Sequence, residues 1–459
     1  MLDAFSPELP AALLYPITAA LAVMLWFVLR RVEGNAARFV IAAMWLRYVM
    51  PLYHDVTFRP IIGDFSLIAL VTTGLFAIGC LIIPPRRWML KALGPVYVLL
   101  AVTTLSGLLN AQFAGLVNTL IKWGFFLVIL LGVYEAVRRL GPDKISAFLL
   151  WALLPPLVFQ AVSFVLGIAK HSEGDGSLSF IGGYNHESAF SIVMITGICV
   201  AAFATRLNAW VRNALVVAFL LGLYLANYRT AILAVAPIAV AYFTAQSASW
   251  FRSRERVIVG GVMLGFAALG VAAVGFLMRE RFADFATIVQ GAPIFQSPQD
   301  FTASERALFS SRLYLWSQYL DAFSHGGLAH QFFGFGPDAW RNAFPLYAHN
   351  TFISALYETG VLGAGALLYL WGAMAMATLR VEDNLARMKL MAAHATFILV
   401  NMATMGQWML EGLILYAFVC GMTLVQARAR IPVDAYEIRP QPAPMPARRY
   451  AHARVRPRI

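Results

Sequence analysis

The feature that most constrains this chain is a series of thirteen apolar runs. They lie near Ala11 to Leu29, Phe39 to Tyr53, Phe65 to Ile83, Ala92 to Leu109, Val117 to Tyr134, Ile145 to Ile168 and Ala189 to Ala204. Six more follow near Ala214 to Ala226, Ala231 to Ala245, Val257 to Met278, Phe352 to Leu379, Leu390 to Met409 and Leu413 to Val425. A helix that crosses a bilayer needs about 20 mainly apolar residues, so thirteen would use about 260. Composition agrees: 60% of the 459 residues are hydrophobic and 13% charged, against roughly half and a quarter in soluble proteins. The expected fold is an all-α polytopic integral membrane protein with about 12–13 transmembrane helices and one large loop that itself contains helices. Residues 1–278 would hold transmembrane helices 1–10, 279–350 the large loop, 351–426 helices 11–13, and 427–459 a basic tail.

The net charge of +12 would, in a soluble protein, raise nucleic acid as a partner. Position decides otherwise. If the tail is cytoplasmic, alternate connections carry Arg30, Arg31 and Arg38; Arg86, Arg87 and Lys91; Arg138, Arg139 and Lys144; Arg206 and Arg212; Arg252, Arg254 and Arg256; and Arg380, Arg387 and Lys389. With the eight arginines of the tail, 25 of the 35 basic residues fall on one side, the positive-inside pattern. The parity puts the N-terminus outside, and Arg30 and Arg31 follow the first apolar run instead of preceding it, unlike a cleavable signal peptide. Cys80, Cys199 and Cys420 all fall in apolar runs, which argues against a disulfide framework. The Pro-, Ala- and Arg-rich tail reads as a disordered arm near anionic headgroups or as a plain topology anchor.

The remaining basic residues break the pattern: Arg47, Arg59, Lys122, Lys170 and Arg229, with Arg279, Arg281, Arg306, Arg312 and Arg341 in the long loop from about Arg279 to His349. Six acids leave that loop at −1, so nucleic acid has no support there. Arg229 sits between two apolar runs with almost no loop; charge at such depth marks a functional candidate, or an arginine snorkelling to the outer headgroups. Arg47 and Lys122 are explained equally by helix pairing and by a site. Helical periodicity over Ser304 to Phe323 sets Leu308, Leu315, Tyr319 and Phe323 on one stripe that Arg312 shares, as a buried structural pair or an anion ligand. His349 is a general base or a polar residue at a helix start. Glu358, about 13 Å deeper along a helix, would carry protons or brace Arg47 or Lys122. Glu187 and Ser188 are expected to cap a helix, leaving His186 as a substrate contact. Metal-ligand spacing, phosphate-binding glycine loops and dinucleotide fingerprints are absent from the sequence, so a metal-free site without a cofactor is expected.

Several segments line up in order with one family: Gly182 to Ser191 (GGYNHESAFS), Tyr228-Arg229-Thr230-Ala231, Ser311 to Trp316, Gly334-Phe335-Gly336, His349-Asn350-Thr351-Phe352 and Glu358 to Gly363. Over about Gly182 to Gly365 the chain resembles the O-antigen ligase and polysaccharide polymerase superfamily, whose members act on undecaprenyl-diphosphate-linked glycans at the periplasmic face of the bacterial inner membrane. Many relatives carry an asparagine or a lysine-asparagine pair where this chain has His186-Glu187. The resemblance implies a multi-pass inner-membrane glycosyltransferase whose 279–350 loop is periplasmic. It also implies catalytic roles for His349, Arg229 and Arg312 and substrate contacts from Asn185, His186, Tyr228, Arg341, Asn350 and Glu358.

Two guanidinium groups would clamp the diphosphate as charge builds on it, in place of a metal ion, and the histidine would take the acceptor hydroxyl's proton. The expected reaction is therefore a metal-independent, inverting transfer. The implied partners are the lipid-linked donor, a glycan acceptor and membrane lipids, with a chain-length regulator left open and nucleic acid excluded. Within this reading the motifs sit closer to an exopolysaccharide or O-antigen repeat-unit polymerase than to a ligase moving polymer onto a lipid A core. A lipid-linked oligosaccharide flippase or secondary transporter is the reading from another class; the sequence lacks the internal repeat common in transporters.

Overall fold

The computed structural model describes residues 8–62, 65–171, 178–248, 296–308 and 311–427, with five single positions between 255 and 265. Apart from four of those single positions, the expected run Val257 to Met278 lies outside the described residues, as do the arginines 252, 254, 256, 279 and 281 and the arginines of the tail. Each of the other twelve apolar runs falls on a helix or on two or three consecutive helical pieces. In chain order these are α1 (Ala11–Arg31), α2 (Asn35–Val49), α3 (Leu67–Ile82), α4 (Gly94–Leu109), α5 (Phe113–Leu140), α6 (Pro142–Val165), α7 (Glu187–Phe203), α8 (Ala209–Leu225) and α9 (Arg229–Ser247). The loop contributes α10 (Arg312–His325) and α11 (Gly327–Phe333), and α12 (Thr351–Ala377), α13 (Asn384–Ala403) and α14 (Leu410–Gln426) complete the bundle. Among the described residues six helical stretches are long and apolar enough to cross a membrane, and four further apolar helices are shorter. The chain is an all-α multi-pass membrane protein.

Which helices lie inside follows from which are apolar all round. Along α7 and α14 nearly every residue is buried, and so is α5 from Trp123 to Val133. These three form the centre, with α14 packed along α5 and α7, and α2 and α3 also against α5. Gly421 permits the closest approach, since a Cβ there would stand 2.9 Å from the carbonyl oxygen of Leu130. By contrast α1 buries only Leu14, Leu21, Leu25 and Val28 and leaves Trp26 and Phe27 outward, an apolar exterior suited to hydrocarbon.

Contacts between connections sort the two ends of the bundle. Lys144 pairs with Glu33 at 3.8 Å, Arg206 with Asp143 at 2.5 Å, and Arg87 with Glu135. Lys389 donates to the Ala202 carbonyl at 2.8 Å. The described connections assigned to the cytoplasm by charge therefore gather at one end. At the other end His54 bonds the Gly183 carbonyl, Asn110 the Gly334 carbonyl and Asn350 the Met402 carbonyl. Two short antiparallel ribbons, Pro60–Ile62 with Phe65–Ser66 and Lys170–His171 with Leu178–Ser179, belong to connections of this second end.

Candidate active site

The site is built where α12 is broken. Gly360 takes φ 69° and ψ −169° inside α12, a conformation open to glycine at little cost. The break frees the carbonyls of Tyr357 and Glu358 from their usual helical partners. The backbone N–H groups of Phe335 and Gly336 donate to them instead, each at 2.9 Å, and Ser106 adds its hydroxyl to Glu358 at 2.8 Å. The approach is too close for side chains: a Cβ on Gly334 would meet the Glu358 backbone at 2.3 Å, and one on Gly360 the Phe332 carbonyl at 2.3 Å. The Gly-Phe-Gly turn and the Glu-Thr-Gly segment are thus one docking joint. It presents Asp338, whose backbone N–H donates to the Glu358 carboxylate at 3.2 Å while Ser354 donates to its other oxygen at 3.0 Å.

Beside this joint opens a cleft of about 820 Å³, lined by α2, α3, α5, the segment before α7, the loop and the start of α14. Arg47, Lys122, Asn185, His186, Asp338, Arg341, Tyr347, Trp408 and Glu411 all reach it. Asp338 accepts from Asn118 at 3.0 Å and from the Trp408 indole at 3.2 Å, and pairs with Arg341 at 3.5 Å. Lys122 lies over the Trp408 ring at 4.1 Å. A row of rings continues from there: Tyr347 stacks on Trp408 at 5.6 Å, and His349 lies tilted against Tyr347 at 4.1 Å.

Three expectations change. The partner of Arg47 is Glu411 at 3.4 Å, not Glu358, because α2 packs on the α5–α14 core while Glu358 is held at the joint. The cap of α7 is the His186 ring, whose Nδ1 accepts from the Ser188 N–H at 3.1 Å. Glu187 instead pairs with the buried Lys170 at 3.5 Å, and Lys170 also donates to the Asn185 carbonyl at 2.9 Å, which fixes the Asn185–Glu187 turn. Finally, the expected helix from Ser304 to Phe323 is two pieces. Thr302 and Glu305 cap Ala303–Ala307 reciprocally, and Ser311 at φ 63° separates it from α10. Arg312 therefore opens α10, half-buried, with Leu315 and Tyr319 buried beyond it.

Of the expected site residues, the structure brings His349, Arg312, His186 and Tyr228 together around Tyr347. Burial, then the nearby Arg312 and His186, push the His349 imidazole down to about 4. Tyr347 is pushed up to about 12 by burial and by Tyr228, with Arg312 opposing. Among the described residues neither Arg312 nor the ring nitrogens of His349 make a hydrogen bond. His349 itself has φ 52°, a strained backbone that costs of order 1–3 kcal/mol and clusters at functional sites. Arg229 is half-buried at the first turn of α9, directly after Tyr228. The Asn350 amide is engaged: its oxygen accepts from the N–H groups of Phe352 and Ile353 and its nitrogen donates to Met402, which fixes the start of α12 next to His349.

Sequence reasoning passed over Asp338, Tyr347, Trp408 and Glu411. Asp338 offered a faint signal, an acid directly after a Gly-Pro turn with φ 59°; the other three are ordinary residues at helix boundaries. Spacing also hid a group away from the cleft, Glu8, His54 and Asp55, whose ligand atoms lie within 4.8 Å of one another. No curated protein matches the chain. Residues 214–368, which carry Tyr228, Arg229, Arg312, Arg341, His349, Asn350 and Glu358, match the O-antigen ligase family, and the match supports the likeness of that segment to the O-antigen ligase superfamily.

Proposed function

We propose that the protein is a membrane glycosyltransferase that polymerises undecaprenyl-diphosphate-linked repeat units of an exopolysaccharide or O-antigen at the periplasmic face. The observation that carries this reading is that Arg312, whose guanidinium makes no hydrogen bond or ion pair among the described residues, lies near His349. A diphosphate on Arg312, with Arg229 as the second arm of the clamp, would receive two charge-assisted contacts that strengthen as the leaving group gains charge. The acceptor hydroxyl attacks the anomeric carbon from the face opposite the diphosphate. The bond to the diphosphate oxygen breaks, its electron pair stays with the leaving carrier, and the hydroxyl proton passes to His349. A single displacement inverts the anomeric centre, and the guanidinium charges take the part that a divalent cation plays elsewhere.

The low pKa of His349 fits this order of events. At neutral pH the free site holds a neutral imidazole able to accept a proton. Part of what disfavours its charged form is Arg312, and an anion bound there offsets that repulsion and raises the imidazole's basicity when the donor is in place. Asn185, His186, Tyr228, Arg341, Asn350 and Glu358 complete the proposal as substrate-contacting or positioning groups.

The test is reconstitution of the purified chain in vesicles with a lipid-linked repeat unit. Growth of a glycan ladder on the carrier, with release of carrier diphosphate, is the expected outcome. Transfer only onto a lipid A core assigns a ligase, and translocation without bond formation overturns the reading in favour of a transporter.

A further inference from the structure

The clamp and His349 leave a second set of cations unused. Arg47 and Lys122 both line the cleft, and Glu411, the ion-pair partner of Arg47, acts electrostatically on Lys122 as well. Arg47 is 2% exposed, yet only its Nη2 has a partner, Glu411 at 3.4 Å. Its Nε and Nη1 are buried without a hydrogen-bond acceptor among the described residues. Leaving such donors unmade costs about 1–3 kcal/mol each, more for a charged group, so a guanidinium in the cleft wall with two of them gains from any ligand oxygen that comes within its reach. Lys122 is the second element. Its amine rests on the Trp408 face at 4.1 Å, and among the described residues it makes no hydrogen bond and no ion pair within 4.0 Å.

The acids nearby do not fill this need. Asp338, Glu358 and Glu411 all act on Lys122 electrostatically, as does Arg341 with opposite sign. Asp338 is committed to Asn118, Trp408 and Arg341, Glu411 to Arg47, and Glu358 to Ser354 and the Asp338 N–H. The cleft lining holds Arg47, Lys122 and Arg341 against Asp338 and Glu411, which leaves one positive charge uncompensated.

We propose that the Arg47–Lys122 end of the cleft is a second anion subsite, two stacked rings from His349, that holds a carboxylate or phosphate group of the substrate. Resting on the glycosyl-transfer reading above, this deepens it: the anion is either an acidic substituent on the glycan, such as a uronic acid carboxylate, or a diphosphate of a carrier lipid. Either group offers the paired oxygens that a guanidinium fork and an ammonium bind together.

Binding, measured by titration calorimetry on the full chain in nanodiscs, tests the subsite apart from catalysis. The probes are a glucuronic-acid-containing disaccharide, its carboxyl-reduced counterpart and farnesyl diphosphate. Lys122→Met removes the amine, and the double variant Arg47→Gln/Glu411→Gln removes the guanidinium without stranding a buried carboxylate. Loss of one charged hydrogen bond predicts affinity lower by about tenfold or more for the acidic probe that uses the site. A loss confined to the disaccharide places the anion on the glycan; a loss confined to farnesyl diphosphate places it on the carrier. If both probes bind both variants as they bind the wild type, or if the carboxyl-reduced sugar is weakened as much as the acid, the proposal fails. Retained binding together with absent glycosyl transfer would overturn the functional reading and leave the subsite standing.

Discussion

The two ends of the bundle use the same residue types to opposite effect. At the basic end the cations are engaged by protein groups: Arg38 on the Val32 carbonyl, Arg87 on Glu135, Lys144 on Glu33, Arg206 on Asp143, Arg212 on Gln246 and Lys389 on the Ala202 carbonyl. At the other end Arg312 and Lys122 have no such partner among the described residues, and Arg47 has one for only part of its fork. A cation engaged by its own protein fixes structure, as at the basic end and as Lys170 with Glu187 and Arg341 with Asp338 do at the other end; one held half-buried and unengaged is poised for something that arrives from outside. The difference is one of satisfaction, not composition, and it can be broken from either side.

The largest expected effect is at the reacting proton. His349→Ala should lower glycan-forming kcat by about 10²–10⁴, the usual worth of positioned acid–base catalysis, with protein levels unchanged because its ring makes no hydrogen bond among the described residues. Radiolabelled repeat-unit incorporation in reconstituted vesicles reads this directly. Full activity in His349→Ala would remove that residue from the mechanism.

Next comes Arg312→Gln, expected to cost about 10²–10³, as when one preorganised donor to a leaving charge is lost. It also carries a pH signature. The imidazole of His349 sits at about 4, below its ordinary 6.5, with Arg312 the second cause after burial. Activity of the free enzyme should fall as pH drops through that value. Removing the guanidinium raises the pKa, so the acid limb of kcat/KM moves to higher pH; Arg312→Lys keeps the charge and should leave the limb where it is. An acid limb at the same pH in Arg312→Gln and wild type would mean that the two groups are not coupled.

A structural intervention follows. Gly360→Ala places a Cβ 2.3 Å from the Phe332 carbonyl at φ 69°, so the joint must open or the helix must straighten. The expected cost is on the order of 1–3 kcal/mol of strain, read as a lower melting temperature in detergent, with reduced activity because Asp338 is displaced from the cleft. A fully active Gly360→Ala protein would show that the joint does not position the site.

Much of this was legible in the chain, and the reasons differ by region. Helices were readable because apolar runs and basic connections obey one-dimensional rules of length and charge. Arg229 was conspicuous as a charge between two apolar runs, whereas Arg312 and His349 were ambiguous by spacing and were singled out by the resemblance; the roles of all three remain proposals. The cleft was not readable, since Lys122, Trp408, Tyr347 and His349 come from α5, the segment before α14 and the end of the loop, and only packing brings them into one row. The identity of Arg47's partner was hidden for the same reason: Glu411 is 364 residues away. Capping of α7 by His186 instead of Ser188 depends on a rotamer that spacing does not encode.

The smallest expected effect belongs to the satisfied end, and it makes the contrast sharp. Arg206 pairs with Asp143 at 2.5 Å, but its side chain is 61% exposed. Exposed pairs are worth about 0–1 kcal/mol and weaken with salt, so Arg206→Gln should change the melting temperature barely and the transfer rate not at all. Its remaining effect would be on insertion, since one positive charge leaves a connection whose side is set by the excess of basic residues. Five other connections and the tail carry that bias, so accessibility labelling of a cysteine placed at position 208 should report the same side in Arg206→Gln as in the otherwise unaltered protein. A substantial loss of glycan formation with orientation unchanged would mean that the basic end takes part in the reaction, and the division between topological and chemical cations would not hold.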